Sequence, residues 1–200
     1  MTYTPTKTVA LEEFLKAYGD DPRYELIDGE LRDLEPTGPH ETVSGKIAGY
    51  WFSAFTSTQK NWVIPKNCLI QPPAAQATAL RPDVIVLDQA KLQQEPLWQR
   101  EPIITLGDSI IMVAEVVSTN WQDDYARKVD EYLLLGVAEY WIVDFRGLGG
   151  LEFIGKPKQP TLTICQLKDE QYQKKQFRLN DSITSRLLPN LQLALSNLTP

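Results

Sequence analysis

Apolar residues follow two different spacings along the chain. Three segments carry apolar side chains at every third or fourth position, which predicts amphipathic helices over residues 8–18, 40–58 and 121–135. Three shorter runs are almost continuously apolar and rich in β-branched residues, which predicts buried strands over residues 82–88, 110–118 and 139–144. Helices alternating with strands in this order indicate an α/β layer with a mixed central sheet.

Weaker patterns lie between and after these elements. Residues 24–31, YELIDGEL, predict a hairpin because Asp-Gly lies between two hydrophobic runs. Residues 62–70 resemble an edge strand interrupted by proline. Residues 72–78 and 88–109 predict connections, and the length of the second is typical of a functional or mobile segment. Near the C-terminus, three segments alternate like antiparallel strands: LEFIG, TLTICQL and YQKKQFRL.

Length and composition indicate one globular domain spanning residues 1–200. We expect three parts in it: an N-terminal helix and hairpin (8–37), a core (40–145) and C-terminal strands (151–198). The two cysteines, Cys68 and Cys165, have no metal-binding or redox spacing and are expected to be small buried hydrophobes. The sequence shows no signal-peptide pattern and no membrane-length apolar run, which predicts a cytoplasmic protein.

The distribution of charge is more informative than its total of −6. Residues 1–41 carry ten Asp or Glu and four Lys or Arg, which accounts for the whole excess. Residues 156–178 are locally basic, with six Lys or Arg against Asp169 and Glu170. This balance excludes a generic DNA-binding protein but not an enzyme that holds phosphates with a few cations and a metal ion.

Two carboxylates stand inside apolar strands. Asp83 heads the run VIVL, and Glu115 lies between Ala114 and Val116. A buried carboxylate must be paired, protonated or bound to a metal ion, because a bare buried charge costs several kcal/mol. If the two strands pair, both side chains can converge at one end of the sheet, where two oxygen ligands and water could hold Mg²⁺. For Asp83, capping of a strand start remains an alternative.

The helix over residues 121–135 supplies a cation. Asp124, Lys128 and Tyr132 form one stripe of that helix. Lys128 could form a surface pair with Asp124, or it could project over the end of the sheet toward Glu115 and orient a water or a phosphate oxygen.

Several segments in sequence order resemble one known family. RPDVIVLD, AEVVS and DYARKVDEYLLLGVAEYWIVD together look like the restriction-endonuclease-like, Uma-type endonucleases, a family once filed as a domain of unknown function. That family belongs to the PD-(D/E)XK nuclease superfamily. The resemblance runs from YELIDGEL through YWIVD to LLPNLQL and therefore covers nearly the whole chain.

The resemblance implies a core of helix, three antiparallel strands, helix and strand, and Mg²⁺- or Mn²⁺-dependent hydrolysis of DNA. It implies metal binding by Asp83, Glu115 and the Val116 carbonyl, with catalysis by Asp83, Glu115 and a lysine. The superfamily places that lysine two residues after the glutamate, where this chain has Val117. In this family Lys128 is expected to replace it from the following helix.

Four further residues are candidates for accessory roles: Glu25, His40, Asp124 and Tyr132. Glu25 is either part of the turn surface or an extra metal ligand, and His40 either contacts a phosphate or caps a helix. The alternative to the nuclease hypothesis is a catalytically silent member that binds nucleic acid or protein. A homodimer formed through edge strands and an exposed apolar loop, residues 92–98, is a further expectation.

Overall fold

A six-stranded mixed sheet forms the centre of the protein, seen here in a computed structural model that describes residues 8–73 and 77–200. In spatial order its strands are β10 (Gln171–Phe177), β9 (Thr161–Lys168), β8 (Glu139–Asp144), β7 (Ile110–Val116), β5 (Val84–Asp88) and β3 (Trp62–Val63). Only β7 and β8 pair in parallel; the other neighbours are antiparallel. The expected mixed α/β core is therefore confirmed.

One helix covers each face of this sheet. Helix α2 (Gly38–Thr56) packs Trp51 against Trp141, with ring centroids 5.1 Å apart. On the opposite face lie a π-helical turn (Asp123–Arg127) and helix α3 (Lys128–Leu134), packed on Val113 and Tyr140. Residues 121–135 were expected to be one regular helix, but the structure opens it with this π turn. Gly136 ends α3 with φ of 70°, as its C-terminal position predicts.

The N-terminal segment forms a small layer beside the sheet. Helix α1 (Leu11–Tyr18) and the hairpin of β1 (Tyr24–Ile27) and β2 (Glu30–Asp33) share a core around Phe14 and Leu26. The Asp28-Gly29 turn has positive φ at both residues, which confirms the hairpin prediction. The helix predicted over residues 8–18 begins later than expected, since Ala10 is its N-cap, without a side-chain hydrogen bond.

Three other segments differ in part from the secondary structure expected of them. Residues 62–70 form two strands in different sheets, since β4 (Leu69–Ile70) pairs with β6 (Ile103–Ile104) and not beside β3. Residues 88–109 include a 3₁₀ turn (Lys91–Gln94) in addition to β6. LEFIG is not a strand: α4 (Leu151–Ile154) is one helical turn, and a second short helix, α5 (Leu195–Leu198), lies near the C-terminus. Residues 74–76 of the expected loop lie outside the described residues.

The loop over residues 92–98 does not expose its apolar side chains as expected. Leu92 belongs to the core on the α3 face, Trp98 packs against that core, and Leu97 packs against the N-terminal one. The hydrophobic effect has turned these side chains inward, so the reason for expecting a dimer through this loop is removed. In the parts of the chain that the structure describes, no helix combines the length and hydrophobicity needed to cross a membrane.

Candidate metal and active site

A polar cleft of about 170 Å³ opens at one end of the central sheet. The antiparallel pairing of β5 with β7 places Val84 opposite Ala114, so that Asp83 and Glu115 lie at the start of one strand and near the end of the other. Both line the cleft, together with Val116. The convergence expected from the two apolar strands is therefore present.

Asp83 is fixed to the end of β7. Its Oδ2 atom accepts a hydrogen bond of 2.6 Å from the backbone N–H of Val116. His40, at the start of α2, contacts both of these residues. Its Nε2 atom donates a hydrogen bond of 2.9 Å to the Val116 carbonyl and lies 3.4 Å from Asp83 Oδ2. The imidazole thus joins the helix on one face to the ligand candidates at the sheet end, while Thr37 caps α2 by accepting from the His40 N–H. The side chain of His40 therefore does not cap the helix, and it contacts candidate ligand residues of the site instead.

Burial of His40 and its contact with Asp83 act on the pKa of His40 in opposite directions. Burial disfavours the imidazolium, but the hydrogen bond to Asp83 and the charge of that carboxylate outweigh it and raise the pKa of His40. Nε2 must carry a proton to donate to the Val116 carbonyl. Nδ1 is buried without a hydrogen-bond partner among the described residues.

The Lys128 ammonium is buried among three carboxylates. Its Nζ atom lies 3.1 Å from Glu25, 3.2 Å from Glu115 and 3.4 Å from Asp124. The side chain of Lys128 is only 4% exposed, and the stripe that it shares with Asp124 and Tyr132 faces the sheet. The reading of Lys128 as a solvated surface cation is therefore wrong, because the helix packs this stripe onto β7.

Glu115 has few partners for a buried carboxylate. Its Oε1 atom accepts from the Tyr132 hydroxyl at 2.6 Å and contacts Lys128. Within the described residues it accepts no backbone N–H. Burial, together with the charges of Asp83 and Asp124, raises the pKa of Glu115 well above its ordinary value, although Lys128 opposes this shift.

Asp124 shows the same conflict between burial and charge. Burial raises the pKa of Asp124 to about 7, against the opposing effect of Lys128. For Lys128 the order is reversed: burial disfavours the ammonium, but Glu115, Glu25 and Asp124 outweigh it and raise the pKa of Lys128. When all three carboxylates are ionised, their charge exceeds that of the single ammonium, and a bound cation would offset the excess.

The donor atoms present fit a hard divalent cation. Asp83, Glu115 and the Val116 carbonyl offer oxygen ligands, the type that Mg²⁺ prefers. Among residues 8–73 and 77–200, no three His, Cys, Asp or Glu side chains form a ready-made metal-binding group. Mg²⁺ usually keeps several waters and takes only one or two carboxylates, so this sparse set is the kind that suits it.

Arg81, the arginine of the RPD segment, was given no role from the sequence. It is buried and donates to the carbonyls of Tyr24 and Gly19, to the Tyr18 carbonyl and to Asn67. Its backbone N–H also donates to Glu25 at 3.1 Å. Arg81 therefore ties the N-terminal helix and hairpin to the start of β5 and brings Glu25 to Lys128. The position of Arg81 just before an apolar strand is the signal in the sequence that could have indicated this anchor.

All seven side chains expected at the site lie in or beside the cleft. Asp83, Glu115, Lys128, Glu25, His40 and Asp124 line it, and Tyr132 lies behind it, bonded to Glu115. The expectation that Glu25 belongs to the turn surface is wrong, since it is 2% exposed. Val117, at the position where the superfamily has lysine, packs into the core on the α3 face.

Comparison with known proteins identifies a family and a similar fold. The model of the family described as "Uma2: Putative restriction endonuclease" matches residues 11–196. A solved structure described as a "putative nuclease belonging to DUF820 from Anabaena variabilis ATCC 29413" has a similar fold, with a TM-score of 0.68 and 17% sequence identity. The similarity covers 95% of this chain and 97% of that one. None of the proteins with curated functions matches the sequence.

Proposed function

The chain belongs to the Uma2 family, described as "Putative restriction endonuclease", and we propose that it is a metal-dependent endonuclease that hydrolyses DNA phosphodiester bonds in this cleft. The proposal rests chiefly on Glu115. This carboxylate is buried in an apolar strand, faces the same cleft as Asp83, and has only Lys128 and Tyr132 as close polar partners in the described structure. A purely structural carboxylate would be expected to accept backbone N–H groups instead.

Asp83, Glu115 and the Val116 carbonyl would hold Mg²⁺ or Mn²⁺. Bound there, the ion would lower the pKa of a coordinated water and offset negative charge on the scissile phosphate. His40 would orient the ligands, because its Nε2 bonds to Val116 and lies against Asp83. Tyr132 would hold Glu115 in place through its short hydrogen bond to Oε1, which leaves the other carboxylate oxygen, Oε2, available to other partners.

Lys128 would supply the positive charge that the superfamily takes from the strand. Its ammonium lies 3.2 Å from Glu115 although its backbone belongs to the packed helix. From there it would hold the attacking water or a phosphate oxygen in place. Glu25 and Asp124 would keep it charged and oriented, since both carboxylates raise its pKa.

A cleavage assay tests the proposal. Purified protein should nick or linearise plasmid DNA with Mg²⁺ or Mn²⁺ and lose this activity in EDTA. Asp83→Asn should reduce the rate by on the order of 100-fold or more. The matched control is Asp88→Asn at the other end of β5, where the side chain only bonds to a nearby backbone N–H. Equal losses in both variants, or cleavage independent of metal, would contradict the assignment.

A catalytically silent, nucleic-acid-binding member is the second candidate. It is favoured by contacts that already engage the groups proposed for catalysis. Three carboxylates hold Lys128, and His40 donates to the Val116 carbonyl. Under this alternative, wild-type protein would bind DNA but would not cleave plasmid or single-stranded substrates with either metal.

A further inference from the structure

Five cations lie along the edge of the sheet that carries the cleft. Arg146 follows β8, Lys156 and Lys158 precede β9, and Arg178 follows β10. Since β9 is antiparallel to both β8 and β10, these segments leave the sheet at the same edge as the end of β7. Lys66 follows β3 and lines the cleft from the other side. We call these five residues the basic rim.

Contacts between loops make one side of the basic rim continuous. Lys158 donates to the Leu148 carbonyl, in the loop after β8, at 3.1 Å. Arg178 donates to the Thr161 hydroxyl, and a Cβ placed on Gly155 would lie 3.5 Å from its guanidinium. The loops that follow β8, precede β9 and follow β10 therefore form a single surface beside the cleft.

The side chains of the basic rim form no ion pairs in the described residues, unlike most other cations near the cleft. Arg23, Arg32, Arg127 and Lys128 each contact at least one carboxylate. By contrast, no rim residue forms an ion pair with any carboxylate in the described ranges 8–73 and 77–200. The side-chain hydrogen bonds of Lys158 and Arg178 go to uncharged oxygens, which leaves their positive charge available. Uncompensated cations grouped beside a catalytic cleft are an electrostatic match for a phosphate backbone.

We propose that the basic rim holds the phosphates of duplex DNA on both sides of the bond at the carboxylates. This inference rests on the proposed function and adds the path of the substrate. β3 and β10 are the two outermost strands, so the rim spans five strand spacings. At roughly 4.8 Å per spacing this is on the order of 24 Å, which corresponds to about seven base pairs at roughly 3.4 Å each.

Fluorescence anisotropy with a labelled duplex tests this path without hydrolysis, using Ca²⁺ in place of Mg²⁺. The rim variant is the triple substitution Arg146→Gln, Lys156→Gln and Lys158→Gln. Its control removes the same charge by Lys168→Gln, Lys174→Gln and Lys175→Gln, three residues of the basic segment 156–178 that lie at the far end of β9 and within β10. All six side chains are exposed, so both variants should fold.

The rim variant should bind duplex DNA at least roughly 10-fold more weakly at low salt. Its slope of log affinity against log salt concentration should be smaller by about 3, near 0.9 for each lost phosphate contact, whereas the control should change by less than about 1. Equal effects of both triples, or wild-type protein without measurable duplex binding, would overturn the rim. Metal-dependent cleavage that persists in the rim variant at wild-type KM would also overturn it while leaving the proposed nuclease function intact.

Discussion

Lys128 should contribute far more to stability than an exposed lysine. Lys128→Met keeps the length of the side chain but leaves Glu25, Glu115 and Asp124 without their shared cation. Breaking a buried ion pair by removing one partner costs about 3–5 kcal/mol. At roughly 2–4 °C per kcal/mol for a chain of this size, the melting temperature should fall by roughly 6–20 °C at pH 8. Lys16→Met, on the exposed face of α1, should change stability by less than about 0.5 kcal/mol.

The loss should grow with pH. Burial already raises the pKa of Glu115 above 4.5 and that of Asp124 from 3.8 to about 7, and Lys128 limits both shifts. Without the ammonium, the folded variant holds these protons to still higher pH than the unfolded chain does. Its stability is therefore retained below the ordinary carboxyl pKa values and lost as pH rises through the raised folded-state values.

Chemical denaturation of the variant, the control and the wild type at about pH 5, 6.5 and 8 measures this trend. A Lys128→Met protein as stable as the Lys16→Met control at pH 8 would refute the reasoning. A loss of stability that does not change with pH would refute it as well.

Two further predictions concern residues that support the site without reacting. Arg81→Lys should lower the free energy of unfolding by about 2–4 kcal/mol, because an ammonium cannot donate to all the separated carbonyls that the buried guanidinium reaches. Arg100→Lys, an exposed control, should be neutral in the same denaturation assay. Burial raises the pKa of Cys68 and of Cys165 to about 12, so neither thiol should react with a disulfide reagent at pH 8 until the protein is denatured; fast reaction in the native state would contradict their burial.

The central strands could be predicted because their physical basis is local. Strand β8 matches its apolar run at both ends, and β7 begins where its run begins. The turn at Leu151–Ile154 could not be predicted from four residues, since so short a segment fits either period. Its Phe153 stacks on Tyr125 with ring centroids 5.0 Å apart, so a tertiary contact selects the helical form. Residues 62–70 divide because β4 pairs with a distant segment, β6.

The carboxylates show where sequence reasoning about the site ends. Glu115, Glu139 and Asp144 all lie in apolar strands and are equally conspicuous in the sequence. Glu139 accepts from the backbone N–H groups of residues 186 and 187, and Asp144 from those of residues 148 and 149, so both have structural partners. Glu115 faces Lys128 instead. The difference depends on which loop or helix crosses each strand end, which is tertiary information.

The set of three carboxylates around Lys128 could be predicted from the sequence only in part. Period-two alternation placed Glu115 on one face, and helical spacing placed Asp124 and Lys128 on one stripe. The approach of Glu25 depends on the anchoring of the hairpin by Arg81, across more than fifty residues of sequence. No local pattern in the sequence indicates that contact.

A crystal soaked in Mn²⁺, with anomalous diffraction recorded at the manganese edge, tests the central claim most directly. We predict one strong anomalous peak in the cleft, bound by oxygens of both Asp83 and Glu115 at roughly 2.0–2.3 Å, with the two carboxylates within roughly 6 Å of each other. The same soak of Asp83→Asn should lose most of that peak. No peak between Asp83 and Glu115 at saturating Mn²⁺, or manganese bound only elsewhere on the protein, would contradict the assignment of this cleft as a metal-dependent nuclease site.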